Sequence, residues 1–230
     1  METTKSECAK CGIKDKICRS PEGQGPTFCP TLYRKEVVGK ANEEYTKPDI
    51  FKFAHEASIQ EAECYINRDV KPFVPYPMKP RVQEICEFAQ KMGYKRLGMA
   101  FCSALHSEAL SLVQILEAQG FEVVSIVCKA GRTPKENIGI REEEKVRVGE
   151  FESMCSPIAQ AMILNEEKTD FNIMLGLCVG HDSLFLKYSE AYCTVLVAKD
   201  RVLGHNPCAV LYTTGSYYAR MLKKGFCSRS

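Results

Sequence analysis

The chain has 230 residues, of which 31 are Lys or Arg and 29 are Asp or Glu, so its formal net charge is only +2. That near balance gives no electrostatic reason to expect nucleic-acid binding. A hydrophobic fraction of 45% is ordinary for a folded protein, and the length predicts one core domain with an extra segment, or two small domains. The unusual count is cysteine, with 13 residues beside 4 His and no Trp.

The N-terminal sequence METTKSECAK lacks the apolar core of a signal peptide. The longest nearly apolar run, around residues 171–180, is far too short for a membrane span. We therefore expect a cytoplasmic protein without a membrane partner, in a compartment where thiols are kept reduced. Thirteen cysteines under those conditions favour metal ligation or redox chemistry over structural disulfides.

Residues 1–70 are predicted to form a cysteine-rich, metal-binding segment followed by two amphipathic helices. The part from 1 to 30 holds four cysteines, the tract PEGQGP and few aliphatic residues, so it cannot build a hydrophobic core of its own. Residues 71–80, KPFVPYPMKP, carry four prolines and are predicted to be an extended linker. Residues 81–230 are predicted to form an α/β domain.

In that domain, apolar helix faces alternate with short apolar runs typical of strands. Gly93 and Gly120 mark the ends of the first two helices, and a last helix is predicted from about 206 toward 224. Strands that alternate with helices form parallel sheets with right-handed crossovers. The sequence therefore predicts a four-stranded, doubly wound, Rossmann-like sheet in the order 2-1-3-4, with strands at 96–101, 121–127, 171–177 and 194–198.

The first cysteine set has the spacing C-x2-C-x6-C-x10-C and consists of Cys8, Cys11, Cys18 and Cys29, followed by Pro30. Four thiolates so close together in a coreless segment suit tetrahedral zinc or an iron–sulfur cluster. A zinc ribbon would have a second CxxC, whereas the Cys–Pro ending is similar to ferredoxin-type sites. A [4Fe–4S] cluster is therefore favoured, zinc is the alternative, and unliganded loop cysteines are the third interpretation.

The second cysteine set is scattered in the sequence but brought together by the predicted fold. Cys102, Cys128 and Cys178 each end a predicted strand, and Cys155 opens the helix that leads into the third strand. Sites in such sheets form at the carboxyl ends of the strands. These four cysteines are predicted to hold a cluster or one zinc ion, with Cys155 favoured as a thiolate by its helix N-terminus. The alternative is that they are small buried core residues.

The remaining cysteines divide by position. Cys64 and Cys86 lie on apolar helix faces and are predicted core residues, whereas Cys193 precedes the fourth strand at the opposite edge of the sheet. Whether Cys208 joins a metal site is open, as it is for His106.

Two histidines are candidate catalytic residues. His181 and His205 lie in Gly-containing turns after the third and fourth predicted strands, so both could face the crevice beside the cysteines. Imidazole titrates near neutral pH, which suits proton transfer beside a metal. Each ring could instead be a metal ligand, cap a helix or fix a turn.

Five blocks of the chain resemble those of a family of uncharacterised bacterial and archaeal proteins described only as metal-binding. They are MAFCSAL, FEVVSIVCKAG, MCSPIAQAMILN, GLCVGHDSLFLKYSEA and KDRVLGHNPCAVLY, and the N-terminal CAKCG…CP is similar as well. The resemblance covers almost the whole chain and implies metal binding but no reaction. It implies the family's cysteines and histidines at Cys8, Cys11, Cys18, Cys29, Cys102, Cys128, Cys155, Cys178, His181 and His205. The Cys11–Cys18 spacing is longer than in that family, and Cys193 and Cys208 are additional.

Three functions fit these features. Two four-cysteine sites favour an iron–sulfur protein in electron transfer or redox chemistry, with a redox partner protein. A second interpretation is a metal-dependent enzyme with a small-molecule ligand at the sheet edge, where His181 or His205 moves protons. A third is a non-catalytic adaptor in which zinc stabilises the N-terminal segment. No P-loop, GxGxxG or nucleophile elbow favours nucleotide or hydrolase chemistry.

Overall fold

The structure, a computed structural model, describes residues 5–228. The chain divides into two compact units, with the boundary between Tyr65 and Ile66. That boundary falls shortly before the proline-rich stretch 71–80, which contains neither helix nor strand. Within residues 5–228, every helix is too short or too polar to traverse a bilayer.

The described part of the first unit contains a 3₁₀ turn at Cys8–Lys10 and the helices α1 (Pro30–Tyr33), α2 (Lys35–Glu44) and α3 (Pro48–Glu63). The two amphipathic helices expected here are present as α2 and α3. Every residue from Lys5 to Ile59 is at least partly exposed, and the first buried side chain is that of Gln60. The cysteine-rich segment therefore has no hydrophobic core, and its folding needs another source of free energy.

The second unit alternates helices and strands, as expected. The helix α4 (Arg81–Met92) ends at Gly93, whose φ of 79° gives a left-handed cap. The chain continues through β1 (Arg96–Phe101), α5 (His106–Ala118), β2 (Glu122–Val127), α6 (Pro157–Glu166), β3 (Phe171–Leu175), α7 (His181–Tyr188), β4 (Cys193–Val197) and α8 (Cys208–Tyr212).

The strands form one parallel sheet in the order β2-β1-β3-β4, so the predicted α/β fold and strand order are confirmed. The central strands β1 and β3 are buried almost throughout, with Leu97, Met99 and Ile173 completely inaccessible. The register pairs Phe101 of β1 with Val127 of β2 and with Leu175 of β3. These three strands therefore end at the same level, and the residues that follow them share one edge of the sheet.

The strand β2 begins one residue later than expected and β4 lies one residue earlier, and two further boundaries differ for a physical reason. The third strand ends at Leu175 because Gly176 has a φ of 69°, which extended strands do not adopt. The predicted last helix is interrupted after α8, and a 3₁₀ turn follows at Ala219–Leu222. The cause is the sequence TTGS at 213–216, where Thr213 Oγ1 donates a 2.7 Å hydrogen bond back to the Ala209 carbonyl oxygen. Such side-chain bonds, together with Gly215, disfavour continuing the helix.

Candidate metal and thiol sites

The N-terminal cysteines line one cavity. Its volume is about 270 Å³, and its lining includes the cations Lys16 and Arg19. The four cysteines of the first set are all part of this lining: Cys8, Cys11, Cys18 and Cys29. The described residues that line the cavity include no carboxylate, so the charged residues of its lining are both cationic.

Tight turns bring these cysteines together. The N–H of Cys11 donates a 3.1 Å bond to the Cys8 carbonyl oxygen, which folds the CxxC into a 3₁₀ turn. Cys18 follows a backbone bridge in which the N–H of Ile17 donates a 2.9 Å bond to the Gln24 carbonyl oxygen. The adjacent Gly23 has no room for a side chain, since a Cβ there would lie 2.4 Å from the backbone nitrogen of Ile17.

Cys29 is held from two sides. Its N–H donates a 2.9 Å bond to the Pro26 carbonyl oxygen, and it forms the N-cap of α1. A Cβ at Gly25 would lie 3.0 Å from the Cys29 Sγ, so glycine leaves space for that sulfur. Among residues 5–228, no group of three or more His, Cys, Asp or Glu side chains is arranged to hold a metal ion.

The second cysteine set, named the edge cysteines below, consists of Cys102, Cys128, Cys155 and Cys178. Three of them follow the carboxyl ends of strands, as the topology predicts. Cys102 and Cys128 directly follow β1 and β2, and the N–H of Cys128 donates a 2.8 Å bond to the Phe101 carbonyl oxygen. Cys178 follows β3 after two residues. Cys193 begins β4 and therefore lies at the opposite edge, where its pKa is raised by burial.

Cys128 and Cys155 form a close pair, with their Sγ atoms 3.8 Å apart. The Cys128 thiol donates a hydrogen bond to the Cys155 thiolate, and this bond is the main reason that the pKa of Cys155 is lowered to about 6. The Lys129 ammonium lowers that pKa further, whereas burial raises it. The same contact and burial raise the pKa of Cys128, which is only 3% exposed. The contacts with Cys128 and Lys129 therefore account for the low pKa of Cys155, and the predicted effect of the helix N-terminus is not needed.

The other two edge cysteines contact cations. The Lys199 ammonium donates to Cys102 Sγ at 3.3 Å, and the Arg201 guanidinium donates to Cys178 Sγ at 2.9 Å. The four predicted ligands at this edge are therefore arranged as one sulfur–sulfur pair and two sulfur–cation contacts. Their joint role as metal ligands stays a prediction.

His181 lies at this edge, at the first position of α7, and its N–H donates a 3.0 Å bond to the Cys178 carbonyl oxygen. Partial burial lowers the pKa of His181, and the cations Lys129, Lys135 and Arg201 lower it further, against the opposing charge of the neighbouring Asp182 carboxylate. This lowering of the pKa favours the neutral ring of His181.

His205 fixes a turn. Its Nδ1 accepts a 3.1 Å hydrogen bond from the N–H of Asp200, and its own N–H donates to the Asp200 carbonyl oxygen at 2.9 Å. Its φ of 65° is unusual for a residue other than glycine. These contacts favour the structural interpretation of His205 over proton transfer.

The remaining candidates are distributed as follows. His106 is exposed and lies edge-on to the Phe101 ring, and Cys208 is exposed at the start of α8. Cys64 and Cys86 are buried, as expected of core residues. Sequence reasoning missed Lys129, whose ammonium bonds the Ser153 carbonyl oxygen beside the thiol pair. The signal was its place directly after Cys128.

Comparison with known proteins identifies the family. Residues 29–196 match the sequence model described as "Protein of unknown function (DUF1847)". The chain belongs to the DUF1847 family. The match confirms the resemblance to an uncharacterised family, and its description mentions no metal. An uncharacterized protein of Methanocaldococcus jannaschii is 42% identical over 192 residues, covering 84% of this chain and 91% of the relative.

No solved structure matches the chain. The part that matches the DUF1847 model contains Cys29, all four edge cysteines and His181. It starts after Cys8, Cys11 and Cys18 and ends before His205.

Proposed function

We propose that this protein is a cytosolic iron–sulfur protein that transfers electrons to or from a redox partner. A [4Fe–4S] cluster is bound by the N-terminal set: Cys8, Cys11, Cys18 and Cys29. The observation that carries this proposal is that all four side chains line a single cavity of about 270 Å³. A four-thiolate set is the usual ligand set of such clusters, and the bound cluster supplies a one-electron couple.

The size of the cavity supports a cluster over a single ion, and its charge suits any site of four thiolates. A cavity of about 270 Å³ exceeds what one ion requires. Lys16 and Arg19 in its lining offset the negative charge that four thiolates bring.

The exposure of the cysteine-rich segment suggests that a bound metal stabilises its fold. No residue between Lys5 and Tyr33 is buried, so apolar packing supplies little of the folding free energy there. Metal binding can supply that folding free energy, because the segment folds when its cysteines bind the metal.

Anaerobic purification with analysis of iron, sulfide and zinc tests the proposal. We expect a brown protein with about four iron and four sulfide per chain. Cys11→Ser should lose colour and iron, whereas the matched control Cys227→Ser, which changes an exposed cysteine outside the cavity, should keep both. A colourless protein with one zinc per chain would overturn the cluster and favour the zinc-stabilised adaptor.

A further inference from the structure

The connection between β2 and α6 is a long loop, residues 129–154, with its two ends side by side. The N–H of Ser156 donates a 2.8 Å bond to the Cys128 carbonyl oxygen, which joins the backbones at the neck of the loop. A second bond, from the N–H of Met154 to the Thr133 carbonyl oxygen at 2.8 Å, continues this contact. Cys128 and Cys155 are the residues at that neck.

The sulfur atoms at the neck are already in contact, at 3.8 Å. A disulfide needs a separation of about 2.05 Å, so the sulfurs must approach by less than about 2 Å, which side-chain rotation can supply when the backbones are adjacent. Neither cysteine is in a disulfide. The pair therefore has the placement of a dithiol that can close and reopen without rearranging the fold.

Burial gives the two thiols different roles. Cys155 is partly exposed, whereas Cys128 is 3% exposed and lies behind it. An incoming disulfide can reach Cys155 only. The N–H of Ser103 points at Cys128 Sγ from 3.4 Å and would stabilise negative charge there once the Cys128 proton has left.

We propose that Cys128 and Cys155 are a redox-active dithiol that reduces small disulfides carrying carboxylate groups. Cys155 is the attacking thiolate and Cys128 the resolving thiol. The carboxylates are favoured because the surrounding charges are mostly positive: Lys129 lies beside Cys155, and Lys199 and Arg201 contact the other two edge sulfurs. This activity is separate from the N-terminal cluster and does not depend on it.

The reaction proceeds by two exchanges. The Cys155 thiolate attacks one sulfur of the substrate, a Cys155–substrate disulfide forms, and the first substrate thiolate leaves and takes the proton of Cys128. The Cys128 thiolate then attacks Cys155 Sγ, the Cys128–Cys155 disulfide forms, and the second substrate thiolate leaves. The dithiol has lost two electrons and the substrate has gained them. A small thiol reductant returns the pair to the dithiol by the reverse exchange.

The experiment mixes the full-length protein, kept anaerobic, with 3,3′-dithiodipropionate and maps disulfides by proteolysis and mass spectrometry. We expect a Cys128–Cys155 link in the wild type and in Cys193→Ser, a matched control at the opposite sheet edge. Cys128→Ser should instead accumulate the mixed disulfide on Cys155, and Cys155→Ser should form neither product. Circular dichroism verifies that each variant is folded. Absence of the link in the wild type, or of the mixed disulfide in Cys128→Ser, would overturn the proposal.

Two further arms test the substrate class and the independence of the site. Dithiodipropionate should react about tenfold faster than the cationic disulfide cystamine, and added salt should reduce the difference. Equal rates would overturn the preference for carboxylates. Cys11→Ser should still form the link, which separates this site from the proposed cluster. If Cys11→Ser retained a metal ion that Cys155→Ser lost, the edge would be a metal site and the dithiol proposal would be wrong.

Discussion

The N–H of Ser156 and the carbonyl oxygen of Cys128 are joined by a 2.8 Å hydrogen bond. This bond fixes the spacing of the two chain segments that carry Cys128 and Cys155, so the thiol pair is positioned by the backbone. The fold does not depend on a covalent link between the sulfurs. Thiol substitutions at this neck can therefore be used as probes of chemistry with little expected loss of structure.

Alkylation of Cys155 should show a low pKa. Because the Cys128 thiol and the Lys129 ammonium hold its pKa at about 6, the rate of Cys155 labelling by iodoacetamide should rise to half its maximum near that pH and level off above it. Peptide mass spectrometry over a pH series measures this rate. Cys128→Ala should move the midpoint upward, since the largest cause of the shift is removed, and an unchanged midpoint would contradict this account.

His181 should titrate below its ordinary pKa. Burial and the nearby cations all favour the neutral ring, so its midpoint in an NMR titration should fall below the usual value of 6.5. Lys129→Met should raise the midpoint, because it removes the largest cationic contribution. Lys187→Met, at the other end of α7, is the matched control and should leave the midpoint unchanged.

The loop 129–154 should depend on one buried ammonium. The Lys145 side chain is 4% exposed and contacts the carboxylates of Glu136 and Glu142, the latter at 2.7 Å. Lys145→Met leaves two facing carboxylates without their cation, so we expect faster hydrogen exchange and proteolysis within the loop. The control Arg147→Met removes a cation that is 73% exposed and should change neither. Equal protection in both variants would refute a central role for Lys145.

A side chain at Gly176 should destabilise the fold more than one at Gly180. Its φ of 69° is unfavourable for alanine, and a Cβ would lie 2.1 Å from Leu105 Cδ1. Gly180 offers a matched control, with a φ of 86° and open space around its Cα. Both alanine variants should lose about 1 kcal/mol of unfolding free energy, because a side chain disfavours a positive φ. Gly176→Ala should lose about 1–3 kcal/mol more from overpacking against Leu105. Urea unfolding midpoints measure the difference in stability between the two variants. Equal midpoints would show that Leu105 moves aside and would contradict the prediction.

The fold was predictable because its signals are local and periodic. Each strand is a short apolar run between a helix face and a turn, and the crossover rule then leaves few topologies. The placement of Cys102, Cys128 and Cys178 at one edge follows from strand ends alone. The expectation failed at the last helix, where Thr213 bonds back to Ala209, because side-chain competition of that kind carries no periodicity.

The details of the edge site could not be read in the same way. The partners of the sulfurs, Lys199 at Cys102 and Arg201 at Cys178, come from a turn after β4 whose path the sequence does not specify. The turn-fixing role of His205 likewise depends on a left-handed backbone conformation at a residue other than glycine. Loop geometry of this kind is determined by three-dimensional packing rather than by residue spacing.

The oxidation state of Cys128 and Cys155 determines whether a protease cut in the loop separates the chain into two pieces. Residues 135–150 carry the exposed turns of this loop, and a cut there divides the reduced chain into two pieces that separate under denaturing conditions. If Cys128 and Cys155 are joined, the same cut opens a ring, and both pieces migrate as one molecule until a reductant is added. A single gel lane pair, with and without reductant, then reports the oxidation state of this edge.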